Sequence, residues 1–403
     1  MRKCSAACLE FKRAVPFDLR AHLLSGQVIP ALPLALTRQR RWDEVRQRAV
    51  VRYYVDAGAG GLAVGVHSTQ FAIRDAKVGL YEPVLSLAAD TAREWLSGDI
   101  LPLAEPAEPP PPRPNSRLRQ SAAEPTQLGP LRFGISEPTR KSPRPFVLIA
   151  GLCGRTAQAG REAQLAAQHG YHAGLLSLGA WARDDERAVL KHCRTIAREL
   201  PLIGFYLQPA VGGRVFTYKF WRTFAEIPEL VAVKIAPFHR YRTIDVVRAV
   251  LEAGRDDVAL YTGNDDNIIA DLLTPFAFAG RTRHIAGGLL GQWGVWTERA
   301  VALLDEIKYA RTAVGLEAPW LTRNAALTDA NAAIFDAAHN FAGCLPGIHE
   351  VLRRQGLFAT TACLDPHEQL SPGQAREITR VAQAYPWLVD NSFVASNLSR
   401  WLK

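Results

Sequence analysis

Eight short apolar runs, each followed by a stretch with helical spacing, constrain this chain more than any other feature. The runs open at Val28, Gly61, Phe146, Gly174, Leu202, Leu230, Val258 and His284. Helical patterns between them cover Trp42 to Asp56, Val84 to Leu96, Thr156 to Gln168, Asp184 to Leu200, Tyr218 to Ala225, Thr243 to Ala253 and Ile268 to Phe276. Strands that alternate with helices at this spacing build parallel βαβ units. Eight such units imply an α/β fold, the (β/α)8 TIM barrel, whose active sites lie at the C-terminal ends of the strands. A chain of 403 residues has room for that barrel and for additions to it.

The additions are readable as breaks in the alternation. Residues 1–17 form an N-terminal extension, and the barrel occupies 18–296. Residues 98–144 interrupt it with Pro106, Pro109, Pro110, Pro111, Pro112 and Pro114, followed by arginine, serine and glutamine. Such a stretch holds neither a helix nor a ladder and buries little, so it reads as an extended or disordered insertion. It enters after the second helix and before the third strand, at the barrel face opposite the catalytic one. Residues 297–403 carry further helical patterns, Thr297 to Thr312, Asp329 to Ala342, Gly347 to Gln355 and Gly373 to Ala384, whose apolar sides should pack on the barrel's flank.

Composition narrows the partners. No apolar run approaches the length of about 18 residues that a membrane span requires. The opening Met1 to Cys8 is cut short by Glu10, Lys12 and Arg13 before any apolar stretch develops, so a cytoplasmic location is expected. The net charge of +9 comes from arginines scattered along every helical pattern, without the basic run and interleaved aromatics of a nucleic-acid footprint. The six cysteines are dispersed, with no zinc spacing and no disulfide density.

Within the sixth run, Leu230 to Ile235 between Pro228 and Pro237, stands one lysine, Lys234. An ammonium among apolar groups is costly, so burial lowers its pKa and leaves a nucleophilic amine near neutral pH, as Schiff-base chemistry requires. On its own such a lysine could equally sit on an edge strand and point into water. Asn264, Asp265, Asp266 and Asn267 form a polar cluster after the seventh run. They lack the ligand pattern of a calcium or zinc site and are explained by helix capping, so no metal and no cofactor is expected. Gly288, within Gly287 to Gly291, stands where a barrel could cradle a phosphate, or where close packing under the site needs small residues.

With Lys234 on strand six, Tyr206 in Gly204 to Pro209 at the end of strand five, and Val66 to Phe71 after strand two, the chain resembles the dihydrodipicolinate synthase and N-acetylneuraminate lyase family. Gly263 to Asp266 and Gly343 to Pro346 add to the likeness, which runs from about Phe17 to Leu388 without the insertion. The resemblance implies a class I aldolase on a TIM barrel. Lys234 would form the imine with pyruvate or another 2-oxo acid, and Tyr206 would shuttle protons. Ser68 and Thr69, with His67 beside them, would bind the substrate carboxylate, and Gly288 would line the same site. It also implies a homo-oligomer, dimer or tetramer.

The departures are as informative. The family's glycine-threonine-threonine-glycine-glutamate reads Val66-His67-Ser68-Thr69-Gln70 here, Ala210 to Gly213 stand where an arginine belongs, and Gly179-Ala180-Trp181 replace paired tyrosines. They keep open two functions: a Schiff-base lyase performing aldol cleavage, condensation or dehydration, or a barrel that has lost catalysis and serves as a ligand-binding or assembly subunit.

Overall fold

The computed structural model describes residues 17–98 and 144–403. The expected insertion and nearly all of the N-terminal extension lie outside the described residues. A short helix α1 (Leu19–Leu24) precedes strand β1 (Val28–Pro30), and then α2 (Glu44–Asp56), β2 (Gly61–Val64) and α3 (Tyr81–Ser97) follow. The alternation continues through β3 (Val147–Leu152), α4 (Thr156–Gln168), β4 (Ala173–Leu176), α5 (Glu186–Ala197), β5 (Leu202–Leu207) and α6 (Tyr218–Phe224). It ends with β6 (Leu230–Ala236), α7 (Arg240–Glu252), β7 (Ala259–Thr262), α8 (Ile268–Leu273), a small hairpin β8 (Phe276–Phe278) and β9 (Arg281–Arg283), and β10 (Gly287–Leu290).

Eight of these strands form one parallel sheet in the order β1-β10-β7-β6-β5-β4-β3-β2. The sheet curls into a (β/α)8 barrel across the seam between β1 and β2, where Gly60 N–H donates to Val28 O at 3.0 Å and Leu32 N–H to Ala63 O at 2.8 Å. Pro30 has no N–H to add at this seam, so the closure is sparse. Helix α1 stoppers the N-terminal mouth with Leu23, and Arg20 donates to Leu230 O at 2.8 Å.

Two hydrophobic layers hold the barrel. One fills its interior with Ile29, Ala63, Ile149, Leu175, Ile203, Val231, Ala259 and Leu289. The other lies between strands and helices. Because side chains alternate along a strand, neighbours in sequence belong to different layers. Phe205 faces inward, whereas Tyr206 joins the outer layer. Carboxylates and hydroxyls set the helix starts: Asp43, Asp185 and Thr217 accept from Arg46, Ala188 and Phe220 N–H respectively.

The last barrel strand is Gly287–Leu290 and not His284 to Ala286, and α8 stops at Leu273, ahead of the unforeseen hairpin. The physical reason is visible at Gly287, where a Cβ would sit 2.4 Å from Gln27 O. Close approach to the chain entering β1 demands glycine, and a glycine strand leaves no apolar run to read.

After the barrel come α9 (Thr297–Ala310), α10 (Pro319–Ile334), α11 (Cys344–Arg354), α12 (Gln374–Ala384) and α13 (Asn391–Trp401). The expected helix Asp329 to Ala342 ends instead at Ile334, because Asp336, Asn340 and Phe341 take left-handed backbone at φ 59°, 52° and 67°. Helix α13, which lies beyond the helical patterns expected from the sequence, packs on α2. The α10–α11 connection and the start of α11 do something else: they cross the C-terminal end of the barrel, the connection bringing Phe335 and Phe341 and α11 bringing Cys344 and Ile348 over the interior. No helix among the described residues is long and apolar enough to cross a membrane.

Candidate active site

A pocket opens at the C-terminal ends of the strands, and Lys234 lies in its wall. On β6 the inward positions are Ala232, Lys234 and Ala236, and the register sets Lys234 between Phe205 of β5 and Tyr261 of β7. Its Nζ lies 4.6 Å from the centroid of the Phe205 ring. Gly263 gives the stem room, since a Cβ there would approach Lys234 Cε to 2.7 Å. Burial lowers the Lys234 pKa from the ordinary lysine value, and the nearby Asp265 carboxylate opposes that shift.

Asp265 belongs to the same pocket. Burial raises its carboxyl pKa, opposed by Lys234 and by the backbone N–H of Gln292. Its Oδ1 is buried and has no hydrogen-bond partner among the described residues. The loop that presents it is fixed from below: Asn264 Nδ2 donates to Asp271 Oδ2 at 2.9 Å, and Asn331 Nδ2 donates to Asp265 O at 2.7 Å. A polar group that is buried without a partner is costly unless something occupies the space beside it. The sequence carried the signal, an aspartate just beyond strand seven, but capping explained it as well.

His67 and Ser68 line the pocket from the turn after β2. Burial, with the Lys234 charge adding to it, pushes the His67 pKa down to about 4, so the imidazole is neutral at pH 7. A buried ion pair supports this turn: Arg74 Nε donates to Glu162 at 3.0 Å, and Arg74 Nη2 donates to Gly151 O at 2.7 Å. Gln70 Oε1 accepts from Leu364 N–H at 2.6 Å and ties the turn to the C-terminal segment.

Three expected site residues are not brought into the pocket. Tyr206 is fully buried on the helix side of β5, against Phe216 and Trp221, where its hydroxyl accepts weakly from Phe216 N–H at 3.4 Å. The alternation that points Phe205 at Lys234 turns Tyr206 away. Thr69 Oγ1 is spent on backbone, donating to Leu32 O at 2.7 Å and accepting from Gly65 N–H at 3.0 Å. Gly288 faces outward, and a Cβ there would meet the Trp293 ring at 2.6 Å, so it serves packing; the glycines in the pocket wall are Gly263 and Gly291.

Apart from Gln208 the remaining wall is apolar, made largely by Val66, Leu207, Val211 and Phe238, by Phe335 and Phe341 of the α10–α11 connection, and by Cys344 and Ile348 of α11. Among the described residues no arginine lines the pocket. Arg214, the arginine nearest the expected place, donates to Trp181 O at 2.8 Å and Asp184 O at 2.7 Å. Trp181 lies apart from the pocket, stacked on His192 at 4.6 Å. Burial pushes the Cys344 thiol well above its usual value, which leaves it a protonated, unreactive wall. Among the described residues no group of three or more His, Cys, Asp or Glu side chains is arranged to hold a metal ion.

No family model and no curated protein matches the sequence. Solved structures do match by shape. CdNal from Clostridium difficile, in complex with mannosamine, superposes with a TM-score of 0.63 at 15% identity, covering 89% of this chain and 99% of that one. N-acetylneuraminate lyase from Fusobacterium nucleatum, complexed with pyruvate, gives 0.62 at 16%, covering 90% and 98%. YagE from E. coli K12, a prophage protein of the dihydrodipicolinic acid synthase family in complex with pyruvate, gives 0.62 at 15%, covering 89% and 97%. The shared property is the barrel and its appended helices.

Proposed function

We propose that the chain is a divergent member of the dihydrodipicolinate synthase and N-acetylneuraminate lyase family that forms a Schiff base between Lys234 and pyruvate or another 2-oxo acid. The observation that carries this reading is the Lys234 amine, its pKa lowered by burial, inside a pocket at the catalytic end of the barrel beside Asp265. The neutral amine attacks the keto carbon to give a carbinolamine. Loss of water then needs a proton on the departing oxygen, and Asp265, held protonated in part by burial, is placed to supply it. The resulting iminium draws electrons from the adjacent C–C or C–H bond, and the released proton returns to the Asp265 carboxylate. His67 offers a neutral imidazole and Ser68 a hydroxyl to the substrate's carboxylate end.

Support for the family comes from three directions: the shapes of the matched barrels, the pyruvate bound in two of them, and a lysine on strand six. The test is borohydride reduction of wild type and Lys234→Ala incubated with a panel of 2-oxo acids, read by intact mass and peptide mapping. An adduct on Lys234 that the variant lacks supports the reading. A well-folded sample that forms none with any 2-oxo acid overturns it.

The placement of Phe205 favours a second reading, a barrel that binds a carbonyl ligand without turning it over, because a phenyl ring and not the Tyr206 phenol faces the lysine. Binding seen by calorimetry with no reducible adduct would select it. A cytoplasmic homo-oligomer, dimer or tetramer, belongs to the first reading and is checked by light scattering on the purified chain.

A further inference from the structure

Resting on the Schiff-base reading, we infer that the second carbonyl substrate of this site is an aldehyde bearing an aromatic or branched apolar group, and not a polyhydroxylated or anionic one. The pocket wall divides into two parts. Lys234, Asp265, His67 and Ser68 provide for the 2-oxo acid and the proton transfers. What remains toward the α10–α11 connection is Leu207, Val211, Phe238, Phe335, Phe341 and Ile348, with the Gln208 amide as the single polar side chain among these described residues. A sugar-like acceptor would bury several hydroxyls against these side chains with only the Gln208 amide to pair them, and each hydroxyl left unpaired costs affinity. An anionic acceptor would find no guanidinium, and the one ammonium is consumed by the imine.

The aromatic wall is held in place at a cost. Phe238 and Phe341 both take left-handed backbone, at φ 50° and 67°, where a bulky side chain is strained. Each is fastened by specific bonds: Phe238 N–H donates to Asn264 Oδ1 at 2.9 Å, and Phe341 N–H donates to Asp336 O at 3.0 Å. Asp336 is itself clamped, accepting from Gly343 N–H at 2.9 Å and from the Ser371 hydroxyl at 2.5 Å. The two phenyl rings, one just after β6 and one from the α10–α11 connection, meet edge to face with centroids 6.1 Å apart. Neither is fully buried, so both present ring surface to whatever occupies the pocket.

The chemistry balances without a further reagent. The enamine formed on Lys234 donates its electron pair from C3 to the aldehyde carbon, making one C–C bond while the aldehyde oxygen takes a proton from Asp265. Water then hydrolyses the imine, releasing a 4-hydroxy-2-oxo acid and the free lysine. In this step the acceptor's side group points away from the lysine, toward Phe238 and Phe341.

The test uses the full chain with saturating pyruvate and equal concentrations of benzaldehyde, isovaleraldehyde, glyceraldehyde, erythrose and succinate semialdehyde, with product measured by mass spectrometry. Benzaldehyde or isovaleraldehyde should exceed each polar aldehyde in kcat/KM by about tenfold or more, and Phe341→Ser should erase most of that preference, with Phe341→Leu restoring part of it. Equal or faster use of a polar aldehyde overturns the inference, and so does a lack of condensation with any apolar aldehyde. Borohydride trapping with pyruvate runs alongside. An intact Lys234 adduct in either failing case leaves the Schiff-base reading standing, whereas absence of the adduct removes both.

Discussion

Phe205 and Lys234 are register partners on adjacent strands, and the lysine's Nζ lies 4.6 Å from the centre of the phenyl ring. An aromatic face attracts a cation by roughly 0.5–2 kcal/mol, so it holds the ammonium without offering it a proton acceptor. Under the proposed Schiff-base reading, acid-base work at this lysine would fall to the other titratable groups that line the pocket, Asp265 and His67.

Tyr206→Phe separates this arrangement from one in which the adjacent tyrosine is the proton shuttle. The lost hydroxyl makes one long contact outside the pocket, so we expect adduct formation and turnover within about twofold of wild type and a stability loss of at most about 1 kcal/mol. Single-turnover trapping and a thermal melt of the variant check both halves. A loss of activity by orders of magnitude in a folded Tyr206→Phe protein would contradict the inward assignment of Phe205.

Asp265→Asn should split binding from turnover. Removing the carboxylate removes an acid-base group, worth about 10²–10⁴ in rate. It also removes the charge that raises the Lys234 pKa. The amine then titrates still lower, and the pH at which borohydride trapping is half-maximal should move down while turnover falls. A trapping profile that moves up, or does not move, would mean that the two side chains do not interact as the pocket places them.

How much of this was legible in the chain depends on what each residue must do. Strand β5 and helix α4 were readable to the residue, because a strand buried on both faces is a bounded apolar run and a helix repeats every 3.6 residues. The inward phase of β5 was not, for the same reason: when both faces are buried, Phe205 and Tyr206 look alike, and the choice between them rests on ladder register. β10 escaped because Gly287 and Gly288 are selected by close approach and carry no apolar signal. The roof escaped because periodicity tells which side of a helix is apolar but not what it covers. The backbone at Phe238 and Phe341 escaped because φ is positive there at residues that rarely permit it.

Lys234→Met should raise stability, and with a definite pH dependence. The folded pKa of Lys234 lies below the unfolded lysine value of about 10.4, so between those two values the unfolded chain binds more protons than the folded one. The burial penalty is therefore fully present below the folded pKa and fades as pH rises toward the unfolded value. We expect a gain of about 1–2 kcal/mol for the variant at pH 7, shrinking in alkaline solution, measured by denaturant melts across pH. A gain that grows with pH would reverse the sign and show that the amine is not buried as a cation.

Removal of residues 104–140 tests the topology from the other end of the barrel. The segment joins α3, which ends at Ser97, to β3, which begins at Val147. It leaves and re-enters at the N-terminal ends of the strands, whereas Lys234, Asp265 and His67 lie at the C-terminal ends. Both edges are anchored independently of the segment, by Trp95 Nε1 donating to Asp56 Oδ1 at 2.8 Å and by Val147 N–H donating to Gly60 O at 3.0 Å. Closing a shorter loop costs little entropy and relieves some, so the melting temperature should stay level or rise by a few degrees. Trapping at Lys234 should be unchanged. A folded deletion protein that no longer forms the adduct would place the segment at the catalytic mouth and contradict the direction of the barrel described above.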